Sequence, residues 1–131
     1  MIDFLNPAGP FGGQTQRLAA EALQGGGDLF DIARTAAIIE DGDLKGWEKA
    51  WLNLAQRTEA RAKDALASGH TRTAMENFFA ANQYYRQSDV FIQDTELKAA
   101  RFTQARNCFR AGAEHHTSPV EVISARCRIS P

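Results

Sequence analysis

The 131-residue chain has room for one domain of ordinary size, and 44% hydrophobic with 24% charged residues is the composition of a folded globular protein rather than a disordered one. Fifteen basic and 16 acidic side chains leave a formal net charge of −1, so no cationic excess exists to neutralise phosphates, and nucleic-acid binding is not expected. No apolar run reaches the roughly 18 residues of a membrane span, and Met1-Ile2-Asp3-Phe4 lacks the basic-then-apolar order of a secretory signal, so no membrane partner and a cytoplasmic location are expected.

Asn6 to Gly13 reads N-P-A-G-P-F-G-G, and two prolines and three glycines in so short a stretch predict a loop or mobile arm over residues 1–14. Thr15 to Leu23 can form a short helix with Leu18, Ala19, Ala22 and Leu23 on one side. Gly25-Gly26-Gly27 ends it. Asp28 suits the N-cap of the next helix, where its carboxylate accepts an orphan backbone N–H. Phe30, Ala33 and Ala37, with Leu29 and Ile32, supply the apolar face of that helix up to Ile39, and Asp41-Gly42-Asp43 is the next stop and start.

Asp43 to Ser68 predicts the longest helix. Trp47, Trp51, Leu54, Ala55, Thr58, Ala62, Ala65 and Leu66 recur at three- and four-residue steps, giving one buried stripe. Glu48, Lys49, Arg57, Glu59, Arg61, Lys63 and Asp64 fall on the opposite face. Gly69 stands where a left-handed C-terminal cap belongs. Thr71 can cap the following helix, which runs to about Ser88 with Ala74, Phe78, Ala81 and Tyr85 on one face. Asp94 or Thr95 opens a last helix, with Leu97, Phe102, Ala105, Phe109 and Ala113 inward. Ser118-Pro119 forbids further helix, and Val120, Val122 and Ile123 suggest a short strand with nothing in this chain to pair it.

The predicted fold class is therefore all-α: a bundle of four or five helices over residues 15–116, a flexible N-terminal arm, and an extended tail over 117–131. Ala65 to Tyr85 has the small-residue and aromatic spacing of a tetratricopeptide hairpin. No second copy follows, and such arrays need about three units to close a core. Phe78-Phe79 and Tyr84-Tyr85 put bulk on two faces of one helix. One set packs inward; the other must meet another part of the chain, a partner or a ligand. The helix Thr71 to Phe91 is thus the expected surface for homodimer or domain contacts.

Chemistry is sparse. Serines at 68, 88, 118, 124 and 130 never stand in G-x-S-x-G, the strand–turn–helix elbow that exposes a nucleophile. His70 sits at a helix junction. His115 and His116 lie at a helix end, where they complement its negative pole, and adjacent rings about 100° apart do not share an ion. Asp41-Gly42-Asp43 lacks the remaining ligands of a calcium loop, and Gly25-Gly26-Gly27 is followed by no G-K-[ST]. Cys108 and Cys127 make no metal pattern and are expected as reduced thiols. No catalytic, cofactor-binding or metal-ligating residue is assigned, and no cofactor.

Three segments carry a resemblance: W-x3-W-x2-L-A from Trp47 to Ala55, A-x3-G-H-x2-T-A from Ala65 to Ala74, and F-F-A-A-N-Q-Y-Y-R-Q-S-D-V-F from Phe78 to Phe91. Over roughly Phe30 to Val122 the chain resembles the helical N-terminal region of a group of α/β-hydrolases. The group includes bacterial 2,6-dihydroxypseudooxynicotine hydrolases and fungal hydrolases that shorten or cyclise polyketides in pigment and mycotoxin pathways. The resemblance implies helices that precede the hydrolase domain and help cover its active site, with Pro119-Val120-Glu121 at the start of that domain's first strand. It carries over no catalytic residue, because the nucleophilic serine, the acid, the histidine and the oxyanion hole of the family lie beyond the matched region. Ser124 to Pro131 does not look like the family's second strand, and a truncated gene, a frameshift or a degraded copy is the expectation. The expected function is thus the cap of a secondary-metabolite hydrolase acting on a C–C or ester bond, inactive alone. The competing expectation is a stand-alone tetratricopeptide-like interaction module.

Overall fold

The computed structural model describes residues 9–127. Five α-helices follow one another among them: α1 (Gly9–Glu21), α2 (Leu29–Ala37), α3 (Leu44–Ala67), α4 (Thr71–Asp89) and α5 (Thr95–Ala113), with a π-helical turn, Ala22–Gly26, closing α1. No strand occurs among the described residues, so the all-α expectation holds. Residues 117–127, including Val120, Val122 and Ile123, carry no regular structure. Residues 128–131 of the expected tail and 1–8 of the expected arm lie outside the described residues.

The loop expected across Asn6 to Gly13 is corrected from Gly9 onward, where the chain is helical. Pro10 sits in the first turn, where a missing N–H breaks no intrahelical bond. Phe11 packs against Trp47, with ring centroids 4.5 Å apart, and against Phe91 at 5.2 Å. Tertiary packing on one aromatic ring thus overrides the poor helix propensity of Gly12 and Gly13.

Asp28, Asp43 and Asp94 each cap a helix with the carboxylate, accepting from Asp31 N, Gly46 N and Leu97 N respectively. Thr71 does not cap α4 as expected. It is the first helical residue, and the capping position belongs to His70, whose side chain makes no capping bond. Gly69, at φ +79°, ends α3 as its position predicts.

α4 is the central helix. α3 lies along one side of it and α5 along the other, while α1 and α2 pack over shorter contacts. The core contains Trp47, Trp51 and Leu54 of α3, Phe78, Ala81, Tyr84 and Tyr85 of α4, Ala105 and Cys108 of α5, and Leu18 and Ile32 from the N-terminal helices. The doubled aromatics of α4 are explained by this position. Phe78, Tyr84 and Tyr85 are all buried, and Phe79 packs between Phe109 and His116 on the α5 side. Both faces are filled by other parts of the same chain. Several apolar residues expected inside are exposed instead: Leu23 is 77% exposed, Phe30 65%, Phe102 59%, Phe109 46% and Leu66 37%. On α5 it is Cys108 and Gly112 that face inward beside Ala105, because two-sided burial of α4 brings α5 close enough to demand small residues.

Candidate functional site

Two polar constellations stand out from this core. The first is a cleft of about 330 Å3 where α2, α3 and α4 meet, lined by Gly25, Gly27, Asp31, Thr58, Arg61 and Tyr84 among others. Asp31 is its charged centre. Its two carboxylate oxygens take Arg34 at 2.7 Å and Arg61 at 3.2 Å. Partial burial would raise the Asp31 carboxyl, but the hydrogen bonds and charges of Arg34 and Arg61 win and hold it below its ordinary value. Tyr84 Oη accepts the backbone N–H of Asp28 at 2.8 Å. Burial pushes the Tyr84 phenol up to about 12, so it stays protonated at neutral pH. Gly27 is needed where it crosses this ring: a Cβ there would lie 2.7 Å from Tyr84 Oη, and its φ of +153° disfavours side chains as well.

The second constellation joins α3, α4 and α5. Tyr85 Oη donates to Glu59 Oε2 at 2.5 Å and Lys63 Nζ pairs with Glu59 Oε1 at 2.8 Å, while the buried Cys108 thiol of α5 lies near enough for the Glu59 charge to act on it. Burial opposes the charge on Glu59, yet these donors bring its carboxyl below the ordinary value. Burial first, and then the neighbouring Glu59 charge, push Cys108 up to about 12; burial and then the hydrogen bond it donates to Glu59 raise Tyr85. A thiol so raised is not a nucleophile at neutral pH. The cluster holds its protons in place and ties α3 to α4 through one carboxylate, with the α5 thiol beside it. Glu59 was expected on a solvated face; its i,i+4 partner Lys63 was legible, but the approach of Tyr85 and Cys108 from other helices has no local sequence signal.

The residues weighed for chemistry are scattered. Ser88 is buried, and its hydroxyl donates to Tyr85 O at 2.6 Å. Ser68 follows the end of α3. Ser118 meets His116 only through its backbone: its N–H reaches His116 Nδ1 at 3.1 Å. Ser130 lies outside the described residues. Among the described residues no serine hydroxyl is hydrogen-bonded to a histidine, and no three His, Cys, Asp or Glu side chains gather as metal ligands. Cys127 is exposed and Cys108 buried, both as free thiols. No described helix is long and apolar enough to cross a membrane.

Sequence comparison finds proteins that this packed unit resembles. Hydrolase acrC of Aspergillus aculeatus is 32% identical over 88 residues, 64% of this chain. Its relatives are hydrolases of fungi. Alpha/beta hydrolase xenA of Xenoacremonium sinensis is 24% identical over 110 residues, 83% of this chain, and 20-hydroxy-prefusarin hydrolase FUS2 of Gibberella moniliformis is 31% identical over 70 residues, 53% of this chain. The matches cover 21%, 26% and 17% of those proteins, so the chain spans about a fifth of the length of the curated relatives it matches. No family model and no solved structure matches the chain.

Proposed function

We propose that these helices are the cap of an α/β-hydrolase-type enzyme, shaping the lid over an active site whose nucleophile, base and acid are supplied by a separate catalytic domain. One observation carries the reading. Similarity to fungal hydrolases extends over most of this chain and little of theirs, and the fold it falls on brings no nucleophile to a base among the described residues. In the complete enzyme a serine would attack a carbonyl carbon, backbone donors would hold the tetrahedral oxyanion, and a carbon or oxygen leaving group would depart. The helices would position substrate and exclude water, and the chain alone would be inert. The proposed setting is cytoplasmic secondary metabolism, with a polyketide-type substrate. A relative named for 20-hydroxy-prefusarin supports a small metabolite as the substrate class.

Contacts to that domain, or to a second copy, across Thr71 to Phe91 belong to the same proposal. They would use exposed polar residues of α4 such as Arg72, Glu76 and Arg86, since its aromatics are occupied within the chain. That occupation also counts against a stand-alone peptide-binding groove on this helix. A chimaera tests the reading: residues 9–116 replace the matching segment of xenA, and turnover of that enzyme's own substrate is compared with a deletion lacking the segment. Turnover in the chimaera but not in the deletion is expected. A chimaera as inactive as the deletion, with its catalytic domain still folded by circular dichroism, contradicts it.

A further inference from the structure

α2 differs from the other helices in how it is held. It is nine residues long, and only Ile32, Ala33 and Thr35 are buried. Its outer side leaves Phe30 and Ile38 in solvent. It packs over short contacts with α1 and α3, while α3, α4 and α5 pack along their lengths. Each end is a glycine turn, with φ +88° at Gly25 and +82° at Gly42. Two polar ties cross to the body of the bundle: Asp28 N–H to Tyr84 Oη at 2.8 Å and Arg61 to Asp31 at 3.2 Å. Both ties lie at the N-terminal end of α2 and both line the cleft of about 330 Å3, whose remaining wall is Thr58, Glu76, Asn77 and Ala80 of α3 and α4.

We propose that α2 is a hinged flap, latched at its N-terminal end by Tyr84 and Arg61, that opens as a unit about the turns at Gly25–Gly27 and Gly42 while α3, α4 and α5 stay packed. Opening separates Asp31 from Arg61, withdraws Ile32 from the core and uncovers the cleft floor formed by Thr58, Ala80 and the Tyr84 ring. The buried side of α2 is small, so the opening breaks few contacts: Ile32 is its one fully buried residue in the core shared with α3 and α4, with Ala36 packed against that core only in part. The inference is independent of the hydrolase reading, since it rests on how this chain holds its own helix.

Native-state hydrogen exchange of the full 131-residue chain, followed by mass spectrometry in increasing urea below the unfolding midpoint, tests it. The amides of residues 32–37 should share one exchange rate, faster than those of α3 and α4 by about tenfold or more, and nearly independent of urea, because little surface is exposed in the opening. Tyr84→Phe should raise that rate about fivefold, the loss of one hydrogen bond. Gly112→Ala, which loosens α5 on α4, should speed α3 and α4 and leave 32–37 unchanged. Exchange of 32–37 at the rate and urea slope of α3 and α4 overturns the proposal, as does a gradient of rates falling from the ends of α2, which marks fraying. The unmodified chain alone decides between these outcomes, so the test survives if either variant fails to fold.

Discussion

The two buried tryptophans separate a paired from an unpaired indole at the same depth. Trp47 Nε1 donates to Gln87 O at 2.8 Å, whereas Trp51 Nε1 has no hydrogen-bond partner among the described residues. Phenylalanine at 47 removes volume and strands the Gln87 carbonyl; at 51 it removes volume and relieves an unpaired donor. Trp47→Phe should therefore cost about 1–2 kcal/mol more than Trp51→Phe in urea denaturation. The cysteines separate in the same way. Exposed Cys127 should react with a thiol reagent within minutes at pH 8, and buried Cys108, raised to about 12, only after unfolding. Protonation gives two limbs of opposite sense. Glu59 and Asp31 have folded values below 4.5 and 3.8, so their stabilisation is complete above those values and is lost as pH falls through the lowered folded ones. Asp89, raised by burial, acts the other way on that limb. Tyr84, Tyr85 and Cys108 are raised, so their contribution is present below pH 9 and is lost as pH climbs through 9 to 12. The urea midpoint should fall on both sides, and Glu59→Gln should flatten the acid limb; an unchanged acid limb in that variant would remove Glu59 from the account.

At the scale of elements, caps and crossings decide. Asp28, Asp43 and Asp94 were readable as caps because an acid directly precedes an apolar periodic run, and each does cap its helix. α4 lacks a capping side chain at His70, so His70→Asp should stabilise the protein by about 0.5–1 kcal/mol in thermal or urea unfolding. Where α5 crosses α4, a Cβ on Gly112 would lie 2.9 Å from the Phe79 ring and 3.2 Å from Phe78 Cβ. Gly112→Ala gains about 1 kcal/mol of helix propensity and loses about 1–3 kcal/mol to overpacking, so a net loss of stability is expected. The stripe of α3 was legible through Trp47, Trp51, Leu54, Thr58 and Ala62, all buried. The inner face of α5 was not. Its inward positions are Ala105, Cys108 and Gly112, small residues that announce nothing by themselves, while Phe102 and Phe109 suggested a face that points largely outward. Phe11 explains the other miss: one ring seated on Trp47 and Phe91 holds a helix through a sequence written like a loop.

For the whole molecule, three long helices stacked with α4 in the middle bury Trp47, Trp51, Phe78, Tyr84 and Tyr85 between them, and two carboxylates left near that core, Glu59 and Asp31, are tied to side chains of neighbouring helices. The Glu59 cluster and the Asp31 bridge are both satisfied from more than one helix, which makes them struts; neither presents a nucleophile to a base. The stacking of helices was legible in the three- and four-residue apolar periodicities of the sequence. The two struts were not, since their partners come from positions as far apart as Asp31 and Arg61 or Glu59 and Tyr85. The proposal that joins these scales is that the helices lend shape to an active site whose reacting groups lie in another domain. Intact-mass measurement of the purified 131-residue chain after incubation with a fluorophosphonate, which forms a stable bond to activated serines, tests it most directly. The account predicts an unchanged mass after hours at pH 8, and a stoichiometric adduct mapped to a serine within residues 9–127 would contradict it.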